Sequence, residues 1–150
     1  MKTPRPAKPE EMNELHLMVR ELAEFEKIAD WVKSTPDDLA RAIFEDGNLE
    51  ALVVEKPEGG GLAGFALFFS NFSSFTGKPG LWLEDLYVRP DYRGKGYGKQ
   101  LLDTFISTAK ERGCGRAEWS VLDWNQNAID LYEANGAEIL NDWRICRVSL

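Results

Sequence analysis

Apolar residues recur at three- and four-residue steps from Pro9 to Lys27, at Met12, Leu15, Met18, Val19, Leu22 and Phe25, which predicts one amphipathic helix. His16 is expected at the edge of that helix, without a chemical role. Thr35-Pro36-Asp37-Asp38 predicts a second helix, with Thr35 as N-cap and Pro36 at the first helical position, running to Phe44 before Gly47. The period then becomes extended. Ala51–Val54 and Leu62–Phe69 flank a turn at 57–61 and read as an antiparallel hairpin, and Asn71–Gly80 reads as a loop carrying the aromatics Phe72 and Phe75. Those two side chains suit loop packing, or the cover of a ligand or dimer surface.

Leu81–Val88 predicts another strand, and Gly98–Arg112 a helix with Leu101, Leu102, Phe105, Ile106 and Ala109 on one face, closed by Gly113. Arg116–Leu122 is again extended. Asn125 or Asn127 can cap a short helix through Ala134, ended by Gly136, and Glu138–Ser149 is expected to supply one or two final strands. Two helices followed by the order β β β α β α β predict a mixed α/β (α+β) domain rather than a bundle or a sandwich.

At 150 residues the chain fits one domain, 1–150, large enough to bury a core without disulfides or metals. A net charge of −7 and the lack of a basic block exclude a dedicated nucleic-acid binder. Acidity favours a cationic small substrate, although ordinary solubility charge accounts for it equally. Two cysteines, Cys114 and Cys146, without CxxC spacing, and one histidine give no zinc constellation, so no metal is expected and both cysteines read as buried thiols. The N-terminus lacks an apolar signal core and no stretch approaches a membrane span, which together predict a cytoplasmic protein with no membrane partner.

The chemistry concentrates in the run from Trp82 to Lys99. A strand carrying Glu84 and Asp85 enters the turn Arg93-Gly94-Lys95-Gly96-Tyr97-Gly98 and then a helix whose first N–H groups lack partners, a place suited to a pyrophosphate. The turn has neither GxxxxGK[ST] nor GxGxxG spacing, which removes the triphosphate and dinucleotide readings. Three glycines among Arg93, Lys95 and Lys99 point to an anion rather than to a merely tight turn. Alternation sends Glu84 and Asp85 to opposite faces unless a bulge turns both toward the site.

Arg93-x-x-Gly96-x-Gly98 resembles the acetyl-CoA pyrophosphate turn of the GNAT superfamily of N-acetyltransferases. The blocks Leu83–Gly94, Arg20–Lys27 and Val121–Ala137 are similar to its spermidine/spermine N1-acetyltransferase subfamily, most of all to the diamine acetyltransferase branch that includes thialysine Nε-acetyltransferase. The resemblance implies a GNAT fold, a mixed and mostly antiparallel sheet flanked by helices. It implies an enzyme that passes the acetyl group of the co-substrate acetyl-CoA to a small primary amine, and a homodimer.

Carried over residue by residue, it implies that the backbone at Leu86, Tyr87 and Val88 and the turn Arg93, Gly94, Lys95, Gly96, Tyr97, Gly98 and Lys99 hold the co-substrate, with Asn125, Ala128 and Tyr132. Glu84 is implied as base through water. Tyr132, which spacing alone equally allows as a core aromatic, is implied as the acid for the departing thiolate. Phe25, Glu26, Glu84, Asp85, Glu118, Trp119 and Ser120 are implied for the amine. The family's acidic loop after Ala137 shrinks here to Glu138–Asp142, where Asp142 can replace its acid, so short diamines or thialysine-like amino acids fit better than spermine. A peptide or protein N-acetyltransferase and a non-catalytic CoA sensor stand as alternatives.

Overall fold

The computed structural model describes residues 2–150. The chain divides into two compact units, one up to Ser120 and the other Val121–Leu150.

The first unit is a five-stranded sheet in the order β1-β2-β3-β4-β5, with β1 Arg5–Pro6, β2 Glu50–Glu55, β3 Leu62–Ser73, β4 Lys78–Val88 and β5 Arg116–Trp119. All neighbours are antiparallel except β4 and β5, which run parallel from Gly80↔Arg116 to Leu83↔Trp119. Ala51–Val54 and Leu62–Phe68 are buried without interruption, as expected of strands covered on both faces. Helix α1, Met12–Phe25, lays Leu15 and Met18 on the face made by Ala51, Val53, Phe65, Leu67 and Tyr87. Helix α3, Tyr97–Glu111, covers the other face, where Phe105 packs edge-on against Phe68 and Trp119. Burying each such large apolar side chain stabilises the fold by about 2 kcal/mol. Helix α2, Pro36–Ala40, starts at a reciprocal cap between Thr35 and Asp38 and continues as a π-turn over Arg41–Glu45. The second unit contains helix α4, Gln126–Ala134, capped by the Asn125 side chain.

Four sequence expectations change. The segment read as a loop over 71–80 is largely ladder: β3 pairs with β4 out to Ser73↔Lys78, leaving only four residues at the tip, and both Phe72 in the ladder and Phe75 at the tip are exposed. Its Asn, Ser, Gly and Pro are turn formers by propensity, but the ladder of a long hairpin overrides them. The strands expected over 138–149 do not form. Among the described residues this stretch has no ladder partner, and a strand without a partner gains no backbone hydrogen bonds. The cysteines are not both buried, since Cys114 follows the α3 terminal turn half-buried and Cys146 is exposed in the C-terminal stretch. His16 is not at the helix edge but buried, with Nε2 2.8 Å from the Ser34 carbonyl, fixing the segment that leads into α2.

The sheet is locked to α1 by Arg89, directly after β4. Its guanidinium donates to Glu14 Oε1 at 2.8 Å, to Glu21 Oε2 at 3.0 Å and to the Leu62 carbonyl at 3.0 Å, while its own N–H donates to Ala63. Tyr87 Oη adds a bond to Glu21 Oε1 at 3.2 Å. One planar five-donor group thus serves two carboxylates and a carbonyl, a task an ammonium cannot match. Arg89→Met leaves two facing carboxylates without their cation and should lower the urea unfolding free energy at neutral pH by roughly 3 kcal/mol. Arg89→Lys should recover only part of that loss.

Candidate active site

Beyond Leu83, β4 loses its neighbour on one side. Pairing with β5 stops at Leu83↔Trp119, whereas pairing with β3 continues to Gly64↔Val88. The stretch Glu84–Val88 therefore presents an open backbone edge in this unit, among the described residues. Strand groups alternate between the two sides, so part of the N–H and C=O set of Leu86, Tyr87 and Val88 faces that edge. The same stretch carries a bulge. Leu67 pairs with Asp85 while the adjacent Phe68 pairs with Leu83, which leaves Glu84 as the extra, unpaired residue.

The bulge reconciles two acids that plain alternation would separate. Asp85 shares a face with Leu67 and Tyr87, the face on which α1 lies, and Glu84 is exposed beside it. Burial, then the negative charges of Glu84 and Glu26, push the Asp85 carboxyl up from 3.8 to about 7. Burial also raises Glu26, the residue that caps the C-terminus of α1. Glu84 and Glu26 thus both act on Asp85, and among the described residues none of the three is matched by a cation as Glu14 and Glu21 are. An incoming ammonium would supply that match and stabilise the ionised form of Asp85.

The turn after β4 leaves its backbone open to close approach. Gly94 and Gly96 have φ of 72° and 90°, left-handed values that cost other L-residues, and no heavy atom lies within 4 Å of where a Cβ would stand at Gly94. Gly96 is the N-cap of α3 and provides no side-chain cap, so the first-turn N–H groups are available to a ligand. The three cations grouped around the turn have internal partners. Lys99 Nζ pairs with Asp103 at 2.6 Å, Lys95 Nζ lies 5.6 Å from the Tyr92 ring centroid, and Arg93 Nε donates to the Val88 carbonyl at 2.7 Å. Backbone N–H groups are accordingly the principal donors of this turn. Tyr97 is buried and anchors the start of the helix.

The other expected residues fall in three places. Glu118 shares the face of Trp82 and is paired with Arg116 at 2.9 Å. Trp119, half-buried, lies on the opposite face, edge-on to Phe105, away from the face that carries Asp85. Ser120 is exposed just past β5. Asn125, Ala128 and Tyr132 belong to the second unit. There Asn125 Oδ1 accepts from the Ala128 N–H at 3.4 Å, and Tyr132 is the buried residue of α4. Asp142 lies in the exposed C-terminal stretch. Sequence reasoning missed Arg89 with Glu14 and Glu21, whose pairing joins residues far apart in the chain and leaves no spacing signal.

Comparison with known proteins decides the family, because residues 16–137 match the acetyltransferase (GNAT) family. The chain belongs to that family. It is an N-acetyltransferase, and its family uses acetyl-CoA as co-substrate. The chain is similar to the thialysine N-epsilon-acetyltransferase of Sus scrofa, at 37% identity over 92% of this chain and 85% of that one. It is also similar to the L-ornithine N5-acetyltransferase of Arabidopsis thaliana, at 44% identity over 71% of this chain but only 46% of the plant protein's length. A crystal structure of a probable acetyltransferase superposes with a TM-score of 0.80 at 21% identity, covering 98% of this chain and 97% of that one, a likeness of fold.

Because the Asp85 carboxyl is raised, its contribution to stability is complete below the ordinary carboxylate range and is lost as pH rises through about 7. Asp85→Asn should therefore gain on the parent protein as pH goes from 4 to 8, by on the order of 2 kcal/mol in chemical unfolding. A difference that does not change with pH would show that Asp85 ionises normally.

Proposed function

We propose that this acetyltransferase moves the acetyl group of acetyl-CoA to a primary amine of a small cationic substrate by direct attack of the amine. The observation that carries the reading is the open edge of β4. It runs directly into an uncapped helix start on one side and is flanked on the other by Glu26, Glu84 and Asp85. Glycines with left-handed φ at 94 and 96 and a first turn without a side-chain cap suit a pyrophosphate. Acetyl-CoA supplies the activated acyl group. In the Leu86, Tyr87 and Val88 stretch, the N–H groups that face the open edge are of the right kind to hold the pantetheine arm and polarise the carbonyl. Gly94–Lys99 would hold the pyrophosphate, and the family resemblance assigns Asn125 and Ala128 to the co-substrate as well.

The amine must lose a proton before it attacks, since its reference pKa is about 10.4. Glu84, exposed on the bulge, accepts that proton through a water. Glu26 and Asp85 hold the ammonium, with Phe25 as an aromatic neighbour and Glu118 farther along the same face. As the N–C bond forms and the C–S bond breaks, nitrogen gives up its surplus proton to water and the departing sulfur takes one up, the role that the family resemblance assigns to the Tyr132 hydroxyl. Relatives named for thialysine and ornithine support a short amine. So does the brief Glu138–Asp142 stretch, in which Asp142 is the residual acid. The family match runs across both compact units, which supports one domain over 1–150.

A homodimer belongs to the same reading. Trp143, Ile145 and Val148 are 77%, 66% and 83% exposed in a stretch with no ladder partner among the described residues. Light scattering should give twice the 17.0 kDa of the chain, and a concentration-independent monomer would refute the dimer. Two free thiols fit a reducing compartment and a cytoplasmic location.

Thiol release from acetyl-CoA should depend on added diamine, lysine analogue or thialysine-like amino acid. Tyr132→Phe should lower kcat by about 100-fold while leaving CoA affinity within about two-fold. Turnover with peptides alone would favour a peptide acceptor, and tight acetyl-CoA binding without turnover on any amine would favour a sensor.

A further inference from the structure

Arg93 is the first residue of the glycine turn, yet its guanidinium points back toward the sheet. Its Cζ lies 5.1 Å from the centroid of the Phe25 ring and 5.4 Å from that of Tyr87, and its Nε donates to the Val88 carbonyl at 2.7 Å. Three elements therefore meet on one side chain: the last residue of α1, the end of β4 and the start of the turn. The Tyr87 ring is itself held, 6.1 Å from Phe65 in the core and by its hydroxyl on Glu21.

The turn needs such holding. Gly94 and Gly96 contribute no side chains, so the path between β4 and α3 is fixed by Tyr92, whose hydroxyl donates to Glu58, by Arg93, and by the buried Tyr97. Of these anchors, Arg93 is the one that reaches the amine side. The α1 end it rests on is also closely defined. Lys27 takes a left-handed φ of 64°, rare for a residue with a side chain. Its N–H donates to Glu24 and the N–H of Ile28 to Ala23, which stops the helix directly after Phe25 and Glu26.

We infer that Phe25 is a positioning residue for the acetyl-CoA turn and acts through Arg93. The inference rests on the reading of that turn given above. Phe25 caps one face of the guanidinium, keeps Nε on the Val88 carbonyl, and so fixes the backbone on which the turn's N–H groups are mounted. An exposed cation–π contact of this kind corresponds to roughly two- to five-fold in affinity.

The test is a calorimetric titration of CoA, without amine, into the parent protein and into Phe25→Leu, Phe25→Met, Phe25→Tyr, Arg93→Gln and the double variant Phe25→Leu/Arg93→Gln, each first checked for a cooperative thermal transition. Phe25→Leu and Phe25→Met should weaken CoA about three-fold, and Phe25→Tyr, which restores an aromatic face, should stay close to the parent. In the Arg93→Gln background, Phe25→Leu should cost nothing further. Unchanged affinity in both Leu and Met variants, or the same loss with and without Arg93, overturns the inference while leaving the acetyl-CoA reading intact. Failure of the parent protein to bind CoA overturns that reading and the inference with it.

Discussion

A β-strand that loses its neighbour midway has donors and acceptors that must be met by something other than the sheet. In this protein β4 does so after Leu83, where β5 ends but β3 continues. The backbone from Glu84 to Val88 is therefore held rigidly on one side and presented on the other. Rigidity comes from the long β3 ladder, from the buried face of Phe65, Leu67 and Tyr87 under α1, and from Arg89 clamped between Glu14 and Glu21. Without that support an open edge would be a liability for misassociation. With it, the edge is a preorganised row of donors, the kind of element that stabilises developing charge at little reorganisation cost.

Two groups of acids on the α1 side are treated in opposite ways. Glu14 and Glu21 share the Arg89 guanidinium and serve the fold. Among the described residues Glu26, Glu84 and Asp85 have no such cation, and burial, with the charges of Glu84 and Glu26, pushes the Asp85 carboxyl up to about 7. That arrangement costs stability, a cost that a positive group placed beside it would offset. It is the electrostatic complement of a small amine, and it sits beside the edge that would carry the acyl donor.

Much of this was legible in the sequence where local chemistry governs. The apolar faces of α1 and α3 follow from periodicity at Leu15, Met18, Leu101 and Phe105, and the glycine turn declares itself through spacing. What escaped depends on partners rather than on residues. Asn71–Gly80 has the composition of a loop but pairs as the end of a hairpin, and β1, two residues long, has no pattern to read. Apolar residues near the C-terminus suggested strands that have no partner among the described residues. Alternation showed that Glu84 and Asp85 should diverge but could not locate the bulge, which arises from the register of β3 against β4. The face of Trp119 was equally undetermined, because it is set by pairing with Leu83. The inward turn of Arg93, which looked like a phosphate ligand beside three glycines, is visible only once Phe25 and Tyr87 are placed around it.

The central claim is that the open edge of β4 and the turn leading into α3 form the seat of acetyl-CoA. Amide hydrogen exchange, followed residue by residue with and without acetyl-CoA, addresses it directly. Protection should appear at the edge-facing amides of Leu86–Val88 and at Gly94–Lys99, while the β2–β3 ladder, already protected by the sheet, changes little. Exchange at those two segments that is unaltered by saturating acetyl-CoA, or protection confined to other parts of the chain, would contradict the account.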